Sequence, residues 1–208
     1  MAIRGCGVVA IEGAHGSGKS TLVSSAVGHF RAIGVNASGV SERARDSPFF
    51  EAALVYGGPP IDEAAELHIL GEQIAAEQVQ AMRSKLLIVD RSLMNVPSYW
   101  TVRFASQDLT RNLLYTDMRT FVESYCQHIY DLVFLVSDHY VDPADELRET
   151  DESFRVAVAS QLESDLAVMR DRVVRVPEGL APVERLTFVT DSISSRVLKR
   201  PGAGGNES

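Results

Sequence analysis

The chain is predicted to fold as an α/β protein, a five-stranded parallel sheet flanked by helices, and two observations carry that expectation. Five apolar runs of strand length, at 8–12, 35–42, 86–90, 132–137 and 173–177, alternate with longer stretches in which apolar residues recur at helical spacing. The first run leads straight into Gly13-Ala14-His15-Gly16-Ser17-Gly18-Lys19-Ser20, and that segment opens the first helical stretch.

Composition allows a core of this kind. With 208 residues, 45% of them hydrophobic, the chain can bury most of its apolar surface in one unit. A single domain is expected over 1–200, followed by a Gly-rich polar tail, 201–208, expected to be disordered. A net charge of −8 argues against a protein that grips nucleic acid through its phosphates, and favours a small-molecule partner. The two cysteines, Cys6 and Cys126, have no neighbours at metal-ligand spacing and are expected to be ordinary buried thiols. There is no apolar run near the roughly 20 residues of a membrane helix and no signal-peptide core, so a cytoplasmic location without membrane contact is expected.

The segment after the first strand matches G-x-x-x-x-G-K-[ST] without a departure. Its context is strand, loop, helix: Val8-Val9-Ala10-Ile11 precede it, and Leu22, Val23, Val27 and Phe30 mark the apolar face of a helix at 19–33. Glycines let consecutive backbone N–H groups turn inward around phosphates, and the helix N-terminus adds positive partial charge. Gly13, His15, Gly16, Ser17, Gly18, Lys19, Ser20 and Thr21 are therefore candidates for binding ATP, with His15 contributing its backbone. Lys19 would reach the β- and γ-phosphates, and the Ser20 hydroxyl would complete the coordination of Mg²⁺. A glycine-rich turn before a helix is the competing reading.

The second strand ends in Ser41-Glu42-Arg43-Ala44-Arg45. Glu42 would suit a hydroxyl acceptor, whose proton a carboxylate can receive, whereas Arg43 and Arg45 would suit a substrate phosphate. A solvated charged turn explains all three as well. Residues 43–61, which contain Gly57-Gly58-Pro59-Pro60, read as an irregular loop over the site. A helix at 62–83 follows, started by Asp62. Next comes Leu86-Leu87-Ile88-Val89-Asp90, an apolar strand ending in a carboxylate, the form of a second Mg²⁺ ligand in phosphate-transferring sites. Helices are further expected at 110–128, 153–172 and, from Pro182, 182–198, with an acid-rich loop at 138–152 between the fourth strand and the next helix. Tyr99, Trp100, Phe104, Phe49, Phe50 and Tyr56 flank the second and third strands, where they could stack on a base or belong to the core.

Ile11-Glu12-Gly13 leading into the phosphate loop, together with Asp90-Arg91-Ser92, resembles the P-loop nucleoside and nucleotide kinases. The similar branches are the deoxynucleoside and thymidylate kinases and the ribosylnicotinamide kinase-like ATP-binding proteins. The resemblance implies a P-loop NTPase fold of nucleotide-kinase type, with a lid at about 138–155. It implies that Asp90 and Arg91 face the transferred phosphate or the acceptor, that Glu42 lies near an acceptor hydroxyl, and that Arg148 and Arg155 are lid arginines which neutralise charge on the phosphoryl group as the site closes. A salt bridge at a strand end competes for Arg91, and a surface network with the neighbouring acids competes for the lid arginines. The lid departs from the deoxynucleoside kinase pattern in being dominated by acids.

The expected catalytic set is thus Lys19, Glu42, Asp90, Arg91, Arg148 and Arg155, with Ser20 and Asp90 on the metal and ATP and Mg²⁺ as cofactors. The function expected is transfer of the γ-phosphoryl group to a hydroxyl of a nucleoside or nucleoside-like acceptor. A nucleoside monophosphate kinase and a nucleotide-dependent switch ATPase are the alternatives, and the resemblance leaves room for a homodimer.

Overall fold

The computed structural model describes residues 5–13, 16–54, 56–58, 60–137 and 152–199. In chain order these form β1 (Gly7–Gly13), α1 (Lys19–Ala32), β2 (Ala37–Val40), α2 (Pro48–Leu54), α3 (Glu63–Ala81), β3 (Leu86–Asp90), α4 (Asn95–Arg103), α5 (Leu113–Ile129), β4 (Leu132–Val136), α6 (Glu152–Asp165), β5 (Val173–Arg175) and α7 (Pro182–Ile193). The strands make one sheet in the order β2-β3-β1-β4-β5, and every pairing is parallel. This is the five-stranded parallel α/β fold that the sequence predicts.

The strands read as unbroken apolar runs because both faces of the sheet are covered. Val8 and Ala10 of β1, Leu87 and Val89 of β3 and Val133 and Leu135 of β4 pack against α3, α4 and α5. Their alternates Val9, Ile11, Leu86, Ile88, Leu132 and Phe134 pack against α1 and α7. Both cysteines are buried free thiols, and no described helix is long and apolar enough to cross a membrane. The central strand is β1, so the loop that leaves its C-terminal end has a neighbouring strand on either side, the usual place for a ligand in an open parallel sheet.

Helix starts follow local chemistry. The Asp62 carboxylate caps α3 by accepting from the Ala65 N–H at 3.0 Å, and Asn112 caps α5 by accepting from the Tyr115 N–H at 3.1 Å. Several expectations are corrected. Residues 43–61 are not wholly irregular: a 3₁₀ turn spans Arg43–Asp46 and α2 follows, with Pro48 at the first helical position, where its missing N–H costs nothing. Helix α4 has no counterpart among the predicted elements; its Pro97 lies in the first turn, where a proline removes no helical bond. The stretch at 153–172 is α6 followed by a 3₁₀ segment, Leu166–Arg172, in which Met169 departs from helical geometry. The second strand shortens to Ala37–Val40.

One buried carboxyl lies among the apolar residues of the α3 face. Glu77 is fully buried and accepts from Gln73 Nε2 and Tyr130 Oη, each at 2.8 Å, and from Tyr125 Oη at 3.1 Å. Burial outweighs these bonds and pushes it up to about 7 from the ordinary 4.5. The folded chain therefore holds this proton more tightly than the unfolded chain does. The associated stability is fully present below the lower value and is lost as pH rises through about 7, reaching about 3 kcal/mol at 1.4 kcal/mol per tenfold in proton affinity. Glu77→Gln is expected to abolish that loss. Urea unfolding at about pH 5 and about pH 8 should show the variant gaining on the wild type as pH rises; a difference constant with pH would refute the assignment.

Candidate active site

The candidate phosphate loop leaves β1 at Gly13, where φ is 146° and a Cβ would lie 2.2 Å from the Val136 carbonyl oxygen, so no side chain fits. Gly18, at φ 79°, ends the loop in the left-handed region, and its carbonyl accepts the Leu22 N–H at 3.1 Å to begin α1. Ser17 is fully buried and Lys19 is 5% exposed, with Lys19 Nζ donating to Ser17 Oγ at 3.2 Å. Gly16 is half-buried, and Gly18, Ser20 and Thr21 face solvent. His15 lies outside the described residues.

The end of β3 stands directly across from this helix start, because Asp90 is in register with Ile11 of β1. Ser20 Oγ donates to Asp90 Oδ2 at 2.5 Å across 70 positions of sequence. The other carboxylate oxygen, Oδ1, is buried with no hydrogen-bond partner among the described residues. An orphaned oxygen beside a hydroxyl is the donor set that a hard divalent cation uses with phosphate and water oxygens, so the residues fit Mg²⁺.

Arg91 follows in the left-handed region, at φ 75°, a conformation that costs a non-glycine residue about 1–2 kcal/mol. Its amide donates to the Ile11 carbonyl at 3.1 Å, and its guanidinium Nη1 donates to the Gly13 carbonyl at 3.4 Å. Its Nε lies 2.7 Å from Glu42 Oε1, forming an ion pair with both side chains nearly buried. Burial works against the Arg91 charge, but Glu42, Tyr99, Glu12 and Asp90 together outweigh it and raise its pKa further.

Lys19 has the opposite balance. Burial first, and then the Arg91 charge, push it down to about 7, with Asp90, Glu42 and Glu12 opposing. Two buried cations converge where the loop can hold an anion. A bound phosphate would restore the Lys19 proton, so binding above pH 7 takes up a proton. ADP affinity is accordingly expected to fall as pH rises past about 7, by up to about tenfold per pH unit, read by calorimetric titration. An affinity indifferent to pH would count against Lys19 as the phosphate ligand.

Three residues that the sequence argument did not assign belong to the same constellation. Glu12 is fully buried and pushed up by burial, and its Oε1 accepts both the Ser92 N–H and Oγ–H at 2.6 Å. A lone acid inside an apolar strand was the signal that could have found it. Arg185, on α7, is 4% exposed and donates to the Ser17 carbonyl at 3.1 Å; nothing in its local sequence marks it. Glu66, 2% exposed and pushed up to about 7 by burial against the opposing pull of Arg103, pairs with Arg103 at 3.3 Å.

That pair sits among aromatic rings. Arg103 lies over Phe154 at 5.1 Å and over Phe50 at 6.0 Å, Tyr99 packs against Phe154 at 5.9 Å, and Arg91 lies over Tyr99 at 5.7 Å. Trp100, by contrast, is fully buried and packs with Phe104 and Tyr115 in the core, while Tyr56 is 73% exposed. Of the six aromatics expected near an acceptor, Tyr99 and Phe50 lie beside the charged cluster. Arg43 is engaged locally, donating to Ser41 and pairing with Asp46 at 3.3 Å. Arg155, on the first turn of α6, has a buried Nε with no hydrogen-bond partner among the described residues. Arg148, most of the expected lid and the tail at 201–208 lie outside the described residues.

A family model described as an AAA domain matches residues 8–184. No curated protein sequence matches the chain. Among solved structures it is similar to thymidylate kinase from Candida albicans, with 17% identity over 91% of this chain and 92% of that one and a TM-score of 0.63. It is similar to deoxyadenosine kinase from M. mycoides with bound dATP, with 18% identity, 90% and 99% coverage and a TM-score of 0.64. It is also similar to the NadR protein in complex with NR, with 19% identity, 95% of this chain but 53% of that one and a TM-score of 0.68, so the chain spans about half of that protein. These likenesses establish the fold as that of the P-loop nucleoside and nucleotide kinases.

Proposed function

The chain belongs to the AAA domain family, and we propose that it acts within it as an ATP- and Mg²⁺-dependent small-molecule kinase, transferring the γ-phosphoryl group to a hydroxyl of a nucleoside or nucleoside-like acceptor. The observation that carries this reading is the Glu42–Arg91 ion pair, 2.7 Å long, at the end of β3 beside the phosphate loop. A carboxylate and a guanidinium side by side suit an acceptor hydroxyl and a phosphoryl group, respectively.

In this scheme the backbone of the loop cradles the phosphates and Lys19 donates to the β- and γ-phosphate oxygens. Ser20 and Asp90 would hold Mg²⁺, which supplies neutralising charge to those same oxygens. Glu42 accepts the acceptor's hydroxyl proton as the new oxygen–phosphorus bond forms and the bond to the β-phosphate oxygen breaks, leaving ADP. Arg91 and Arg155 bring positive charge to the phosphoryl group in transit, and positioning with charge neutralisation does most of the work. Engagement of Arg43 by Ser41 and Asp46 supports a hydroxyl over a phosphate acceptor.

The test is incubation of the full chain with Mg²⁺-ATP and a panel of nucleosides, nucleoside monophosphates and sugars, with ADP and phosphorylated product both followed. A nucleoside converted with equal ADP release is the expected result. Conversion of monophosphates alone would replace this reading with a monophosphate kinase, and ADP release that no acceptor stimulates would replace it with a switch ATPase.

A further inference from the structure

Arg91 is the non-glycine residue that stands at positive φ among the described residues, and such a conformation persists where the surroundings over-determine it. Besides its own N–H bond to Ile11, the turn after β3 is clamped at successive residues. The Arg91 carbonyl accepts from Gln73 Nε2 at 3.5 Å. The Ser92 N–H donates to Glu12 at 2.6 Å, and the Leu93 N–H donates to Tyr130 Oη at 3.0 Å. Two of these clamps share one origin, because Gln73 Nε2 and Tyr130 Oη both donate to Oε1 of the fully buried Glu77, each at 2.8 Å. Tyr125 Oη holds the other carboxylate oxygen at 3.1 Å.

We infer that Glu77 is a positioning residue for Arg91: one carboxyl oxygen on α3 aligns the Gln73 amide and the Tyr130 hydroxyl, and through them holds the 91–93 turn that presents the guanidinium beside Gly13 and Lys19, where the terminal phosphate of a triphosphate binds. A carboxyl kept in an otherwise apolar region, where a leucine of similar size would pack without desolvation cost, needs such a task. Tyr130 enters the network from the residue that follows α5, so α3, α5 and the turn after β3 are tied to a single oxygen. The inference rests on the kinase reading in one respect, that Arg91 meets the γ-phosphate.

The test compares binding of ADP and of the imido analogue of ATP, both with Mg²⁺, by calorimetry on the full chain. Glu77→Leu is expected to weaken the triphosphate analogue about tenfold, the worth of a hydrogen bond to a charged group, and to leave ADP affinity unchanged. Tyr130→Phe, which keeps the ring and removes one clamp, should shift in the same direction by less and serves if the leucine variant does not fold. Glu77→Gln, which keeps an acceptor oxygen for both donors, should match the wild type. Equal losses for the two nucleotides, no loss for either, or a glutamine variant as impaired as the leucine variant would overturn the positioning role while leaving the kinase reading intact. A wild type that binds neither nucleotide would overturn the kinase reading first and this inference with it.

Discussion

Lys19→Ala is expected to lower phosphoryl transfer from Mg²⁺-ATP by about 10²–10³-fold, the cost of removing one preorganised donor aimed at developing charge. The side chain is 5% exposed and sits between opposing influences, with burial and Arg91 disfavouring its charge and Asp90, Glu42 and Glu12 favouring it. A phosphate entering the cradle tips that balance, because it supplies the nearby negative charge that desolvation makes valuable. Methionine at the same position would keep the packing and is expected to lose as much, which separates charge from volume. The measurement is the initial rate of product formation at saturating acceptor, with circular dichroism as the check on folding. A variant retaining more than about a tenth of the wild-type rate would place the phosphate contact elsewhere.

Arg91→Ala is expected to damage both stability and turnover. Arg91 and Glu42 have side-chain exposures of 5% and 12%, and breaking a pair at that depth leaves a charge without its partner, at a cost of about 3–5 kcal/mol. Glu42→Gln in the same chain removes that stranded charge, so the double variant should recover much of the lost stability in urea unfolding. It should not recover turnover, which Arg91→Ala is expected to lower by about 10²–10³-fold through loss of cationic charge at the transferring group. Arg91→Lys should restore little, since one ammonium cannot serve the Glu42 carboxylate and the Gly13 carbonyl as the planar guanidinium does. Additive stability losses in the double variant would show that the two side chains do not depend on each other.

Much of the fold was legible because each strand is buried on both faces and therefore announces itself as an apolar run, while the helices between carry apolar residues at their own period. The loop after β1 was legible for a similar reason: its geometry is set by consecutive residues, glycines where the backbone must turn and a lysine at the helix start. Helix α4 was not read from the sequence: it is a short helix of 9 residues, and its Pro97 is compatible with a helix only because it falls in the first turn, a position that the completed helix defines.

What the sequence determined by itself, then, is the layer architecture, the glycine-rich loop between β1 and α1 and the identity of Asp90 and Arg91 as polar groups ending an apolar strand. Tertiary structure alone decided how those groups are engaged. Ser20 meets Asp90 across 70 positions, Ser92 meets Glu12 across 80, Tyr130 meets Glu77 across 53, and Arg185 reaches Ser17 across 168. Hydrophobic periodicity records which face of an element is dry, since burial acts on every residue of that face. It does not record which polar group stands opposite, because a buried hydrogen bond depends on strand order and register, and these bring together residues with no pattern in common.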